Sequence, residues 1–123
     1  MAKQKSLGID FDGTLCKKQP YGDGTIWQEP NEGALSAMKK LKEEGYYLFI
    51  FTVRMSLRKC KEKSPEKQDE EMAWKEKQIA DWLKKYNIPY DEITNSKHEA
   101  NAYVDDRAVR FTNWHDITNY FTQ

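Results

Sequence analysis

Three short apolar runs in this chain, Leu7 to Phe11, Tyr46 to Val53 and Ala102 to Val104, are continuous rather than alternating. A strand with one face in water alternates apolar and polar residues, whereas a strand buried on both faces does not. The runs therefore predict central strands of a parallel sheet, which needs a crossover segment between consecutive strands. The sequence supplies these segments. "NEGALSAMKKLKEEG" puts Ala34, Ala37, Met38 and Leu41 on one helical face, with Asn31 as N-cap and Gly45 as stop. "EEMAWKEKQIADWLKKY" carries a stripe of Met72, Ile79, Trp82, Leu83 and Tyr86 before the terminator Pro89. A short strand near Asp91 to Thr94 follows, and Trp114, His115, Tyr120 and Phe121 form an aromatic tail expected to pack onto the sheet. The order β-α-β-α-β-β predicts a Rossmann-like α/β fold, a three-layer sandwich with a central, mostly parallel sheet and helices on both faces. The length of 123 residues fits one domain, 1–123.

Two segments interrupt this plan. "CKKQPYGDGTIWQEP", about residues 16–30, holds Pro20, Gly22, Gly24 and Pro30 and reads as a flap, a tight hairpin or loop, rising from the end of the first strand. "SLRKCKEKSPEKQDEE", residues 56–71, is almost wholly charged and contains Pro65, so it reads as a solvent-facing connector, either a loop or the start of a solvated helix.

Composition narrows the function classes. Lys plus Arg and Asp plus Glu number 20 each, so no net field recruits a polyanion or an anionic bilayer. Cys16 and Cys60 lack a CxxC spacing and a histidine cluster, which argues against a disulfide scaffold and a zinc site and for a reduced, cytoplasmic chain. "MAKQKSLGI" has no apolar stretch suited to a signal peptide, and no window approaches the roughly 20 apolar residues of a membrane span. A soluble protein without a membrane partner is expected.

Ligands of open parallel sheets bind beyond the carboxyl ends of the strands, and the chemistry-bearing residues of this chain gather there. The first strand ends in Asp10-Phe11-Asp12-Gly13-Thr14, the second in Thr52-Val53-Arg54 and the last in Asp105-Asp106-Arg107, with Lys97 just upstream. If the first strand continues through Phe11, alternation puts Asp10 and Asp12 on one side about 7 Å apart. Singly, each feature has an ordinary explanation: an Asx cap, a β-branched strand residue, a surface lysine, an ion pair of Arg54 with Asp106 or Glu29. Together they supply four carboxylates, a hydroxyl and several cations to one sheet edge. Oxygen ligands without histidine or cysteine suit Mg²⁺, which offsets the repulsion of the aspartates, and phosphate is the natural guest beside such an ion.

These residues carry a resemblance to the haloacid dehalogenase superfamily of phosphatases. "LGIDFDGTL" is similar to the family's first motif, "LFIFT" to its second, with Arg54 giving a T-x-R variant of polynucleotide kinase-type phosphatase domains. "SKHEANAYVDDRAVRF" resembles the third and fourth motifs of a small subgroup, with His98 where proline is usual. The resemblance implies that Asp10 attacks phosphorus to give an aspartyl-phosphate. Asp12 protonates the leaving oxygen and then activates water. Thr52 and Lys97 bind the phosphoryl group, and amides beside Gly13 cradle its oxygens. Mg²⁺ is held by Asp10, the Asp12 carbonyl and an acid of Asp105-Asp106. An acid at position 12 favours phosphate esters over halides. The gaps between motifs hold no cap domain. An open site suits a nucleic-acid end or another large phosphorylated group, a sugar or nucleotide phosphate, or closure by a second subunit in a homo-oligomer. Arg54 is a candidate for substrate phosphate. The competing class is a non-catalytic phosphate-binding module of the same fold.

Overall fold

In the computed structural model the described residues are 5–52, 54, 64–94, 102–105, 109–110 and 112–122, with backbone alone at 102, 103, 105, 109 and 110. Five strands, β1 (Ser6–Ile9), β2 (Tyr47–Phe51), β3 (Glu92–Thr94), β4 (Ala102–Asp105) and β5 (Val109–Arg110), form one sheet in the order β3-β2-β1-β4-β5. Every neighbouring pair is parallel. One register row, Ile93, Ile50, Ile9, Val104 and Val109, crosses all five strands. Gly8 lies in the next row between Phe49 and Tyr103.

The helices are α1 (Ala34–Glu43), α2 (Pro65–Lys85) and α3 (Trp114–Thr122). Ala34, Ala37, Met38 and Leu41 of α1, Ile79, Trp82 and Leu83 of α2, and Trp114 and Ile117 of α3 join Leu7, Ile9, Leu48, Ile50 and Val104 in one buried cluster. All three described helices therefore cover the same sheet face. This corrects the expectation of helices on both faces, as far as the described residues go. The reason is topological: β1 to β2 to β3 advances in one direction, and two right-handed crossovers advancing the same way lie on one side. Phe49 is only 1% exposed yet stands outside that cluster, so the opposite face is covered too.

Local chemistry moves several boundaries. The first strand stops at Ile9 rather than Phe11, because the carbonyl of Phe11 accepts from the N–H groups of Thr14, Leu15 and Cys16 and the chain turns. Asn31 does not cap α1. Its Nδ2 donates to the Thr14 carbonyl at 2.9 Å, and Gly33, at φ 84°, takes the N-cap place without a side-chain bond. Helix α2 begins five residues before the quoted helical stretch: Ser64 Oγ accepts from the Lys67 N–H at 3.3 Å and Pro65 starts the first turn, where its missing N–H costs nothing. The charged segment is thus helix from Pro65 onward, and its residues 56–63 lie outside the described ones. The aromatic tail is a helix packed on α1 as well as on the shared core. Trp114 is buried, while His115 and Tyr120 are exposed.

Candidate active site

The strand order reverses direction beside β1: the chain leaves β1 toward β2 on one side and later fills the other side with β4. Such a switch point leaves a crevice at the carboxyl ends of the strands. Asp10 sits there. Its N–H donates to the Val104 carbonyl at 3.1 Å, and the Ile9–Val104 pairing makes Asp10 and Asp105 the next residues on adjacent strands. The backbones of hydrogen-bonded strands lie about 5 Å apart, so the two acids start from neighbouring positions. On the other flank, the Ile9–Ile50 pairing leads to Thr52 just past the end of β2. The side chain of Asp105 and all of Lys97 and Asp106 lie outside the described residues.

Asp12 reaches the site by a turn, not by strand alternation. It pairs in a single parallel bridge with Cys16, and the Gly13 N–H donates to the Cys16 carbonyl at 2.7 Å. Gly13 has φ 79°, a conformation open to glycine, and an added Cβ would stand 3.2 Å from Lys18 Cγ. With its N–H bonded to Cys16, the contribution of Gly13 here is its backbone conformation. Asp10 Oδ1 accepts from the Phe11 N–H at 2.8 Å. Thr52, buried, accepts from the Arg54 N–H at 3.2 Å through Oγ1. A hydroxyl that accepts still has its own proton to donate.

Arg54 is 2% exposed and grips Asp12 with two bonds, Nε to Oδ2 at 2.7 Å and Nη2 to Oδ1 at 2.9 Å. Among the described residues its acid partner is therefore Asp12 and not Glu29, which pairs with Lys17 at 2.6 Å, while Asp106, the other expected partner, lies outside them. The flap is a loop closed at its base, without a strand of its own. Cys16 and Pro30 close it by an antiparallel bridge, and the Gln19 side chain braces it by bonding Thr25, Trp27 and Gln28. Its tip lies over Arg54, whose Nη1 donates to the Gly24 carbonyl at 3.2 Å, while Tyr21 stacks 5.2 Å from the guanidinium carbon. Trp27 of the flap is 64% exposed.

Lys75 was missed by sequence reasoning. It is 3% exposed, and its Nζ lies 5.8 Å from the centroid of the Tyr21 ring. The signal was present: three residues past Met72 and four before Ile79, this lysine falls on the apolar stripe of α2, where a solvated lysine does not belong.

Cys16 is buried at the flap base. Desolvation above all, and the nearby charge of Asp12 next, push its thiol from 9.0 up to about 12, with Arg54 pulling the other way. It is a protonated packing residue rather than a nucleophile. Among the described residues no group of three His, Cys, Asp or Glu could hold a metal, and the Asp105 side chain and Asp106 lie outside those residues.

Fold and site together define a small α/β protein in which Asp10, Asp12, Thr52 and the buried Arg54 gather at the carboxyl ends of the central strands of a parallel sheet. No family model matches the sequence. No curated protein matches it either. The structure is similar to a crystal structure from Vibrio cholerae, an MCSG target, at 24% identity and a TM-score of 0.50, over 96% of this chain and 99% of that one. That likeness extends to the fold. Among the described residues no helix is long and apolar enough to cross a membrane.

Proposed function

We propose that this protein is a Mg²⁺-dependent phosphomonoester hydrolase of the haloacid dehalogenase type, with a Rossmann-like core and no cap domain. The observation that carries the reading is the adjacency of Asp10 and Asp105 on paired strands, with Thr52 on the other flank. An Asp10 oxygen attacks the phosphorus while the ester bond breaks and the leaving oxygen takes a proton from Asp12. The resulting aspartyl-phosphate is hydrolysed by water that Asp12 deprotonates. Thr52 and Lys97 bind the phosphoryl oxygens.

The donor set fits a magnesium ion. It consists of hard oxygens from Asp10, the Asp12 carbonyl and the pair Asp105 and Asp106, with no histidine or thiolate to favour zinc. When bound, the ion supplies positive charge opposite the phosphoryl oxygens, the largest electrostatic need of this reaction. A sugar or nucleotide phosphate is favoured as substrate over a nucleic-acid end, because a chain with zero net charge has no basic surplus for a polyanion.

One observation favours a second reading, a non-catalytic phosphate-binding module: both oxygens of Asp12 are engaged by Arg54. The test is hydrolysis of a panel of phosphorylated sugars, nucleotides and oligonucleotide ends with and without Mg²⁺. Metal-dependent turnover abolished by Asp10→Asn supports the hydrolase. Inactivity of the unaltered chain on every ester, with phosphate binding retained, supports the binder.

A further inference from the structure

Arg54 stands at the crossing of three parts of the molecule. It follows β2, it holds Asp12 by two charge-assisted bonds, and it donates to the Gly24 carbonyl at the flap tip. Its guanidinium carbon lies over two rings, 5.8 Å from the centroid of Phe11 and 5.2 Å from that of Tyr21. Phe11 belongs to the turn beside Asp12, and Tyr21 belongs to the flap. The flap in turn rests on α2: Trp82 Nε1 donates to the Gln28 carbonyl at 2.8 Å, Trp74 lies against Gly24, and Lys75 lies over Tyr21.

A planar fork held at these points cannot swing, and a carboxylate bound through both oxygens takes its plane from the fork. Serving substrate phosphate instead would require Arg54 to release two charge-assisted bonds in a buried setting. We propose that Arg54 is a positioning residue for Asp12 and that the docked flap holds Arg54 in place. The inference rests on the hydrolase reading and adds to it a link from flap to acid. Each Asp12 oxygen gives one acceptor site to the fork, and the remaining sites face away from Arg54. The fork thereby sets the direction in which Asp12 exchanges a proton with the leaving oxygen.

The role has a signature that a purely structural role lacks. In the first half-reaction the new bond joins an Asp10 oxygen to phosphorus, the ester P–O bond breaks, and its electron pair stays on the leaving oxygen, which takes the Asp12 proton. An alkoxide needs that proton badly; p-nitrophenolate does not. The experiment compares kcat/KM, which reports the steps through loss of the leaving group, for an alkyl phosphate and p-nitrophenyl phosphate in the unaltered protein, Arg54→Lys, Arg54→Gln and Tyr21→Leu. Hydrogen exchange at the Lys17 and Gly24 amides, bonded to the Glu29 and Tyr21 carbonyls, reads the flap directly.

The expected result is that Arg54→Gln lowers kcat/KM for the alkyl ester at least about tenfold more than for the aryl ester, within the range of general-acid effects. Arg54→Lys should lie between, Tyr21→Leu should move in the same direction, and flap exchange should quicken in Arg54→Gln. Equal losses on both esters, or no loss, in the folded variants would overturn the positioning role. Selective loss with unchanged flap exchange would overturn the link to the flap. If the unaltered protein hydrolyses neither ester, the hydrolase reading fails first and the role falls with it.

Discussion

Trp114 Nε1 donates to the carbonyl of Thr14 at 3.1 Å, tying the last helix to the turn that carries Asp12 across 100 residues of sequence. Asn31 Nδ2 donates to the same oxygen at 2.9 Å. The turn is thus clamped by two distant side chains, one of them on a nearly fully buried indole.

Replacing Trp114 by Phe removes one donor and part of a core side chain. The expected loss of stability is about 1–3 kcal/mol, read by urea denaturation. Asn31→Ala removes the other donor and should cost about 1 kcal/mol. A Trp114→Phe variant as stable as the unaltered protein would show that the clamp carries no weight.

Gly13→Ala forces a Cβ into a left-handed backbone and against Lys18. The conformation alone costs roughly 1–2 kcal/mol. Gly22, at φ 53° with nothing within 4 Å of an added Cβ, is the control for conformation without crowding. Both variants should lose stability in thermal denaturation, and Gly13→Ala alone should lower the proposed phosphatase activity, since it alone reshapes the turn between Asp10 and the flap.

Ser64→Ala should cost about 1 kcal/mol through the lost N-cap, seen as earlier melting of α2 in hydrogen exchange. This helix start shows where the sequence was readable and where it was not. The apolar stripe of α2 was legible by its period, but Pro65 reads equally well as a break or as a first-turn residue, and what decides is the Ser64 hydroxyl meeting the Lys67 N–H. The sheet core was legible for the same reason as the stripe: unbroken apolar runs mean burial on both faces. Strand β5 was not, because two residues carry no period. In the site, Asp10, Asp12 and Thr52 were legible as polar residues ending apolar runs. The Arg54–Asp12 pair was not, because it depends on the turn at Phe11 that swings Asp12 out of strand register. Lys75 was legible in principle, as a charge on an apolar stripe.

The buried thiol of Cys16 makes stability depend on pH. Its folded value, about 12, lies above the ordinary 9.0, so folding favours the protonated thiol. The unfolded chain releases this proton first as pH rises. The contribution is therefore complete below 9.0 and is lost as pH climbs toward about 12. In a Cys60→Ser background, stability should fall more steeply above pH 9.0 with Cys16 present than in the Cys16→Ala variant. Parallel curves would refute the assignment.

The central claim is that Asp10 bonds covalently to phosphorus, and the most direct measurement is capture of that bond. The protein is mixed with Mg²⁺ and a phosphate monoester that it turns over, quenched in acid within one turnover, digested and analysed by mass spectrometry. The account predicts one added phosphoryl group on the peptide containing Asp10, absent in Asp10→Asn and absent without Mg²⁺. Turnover with no label on that peptide, or with the label on another residue, would contradict it.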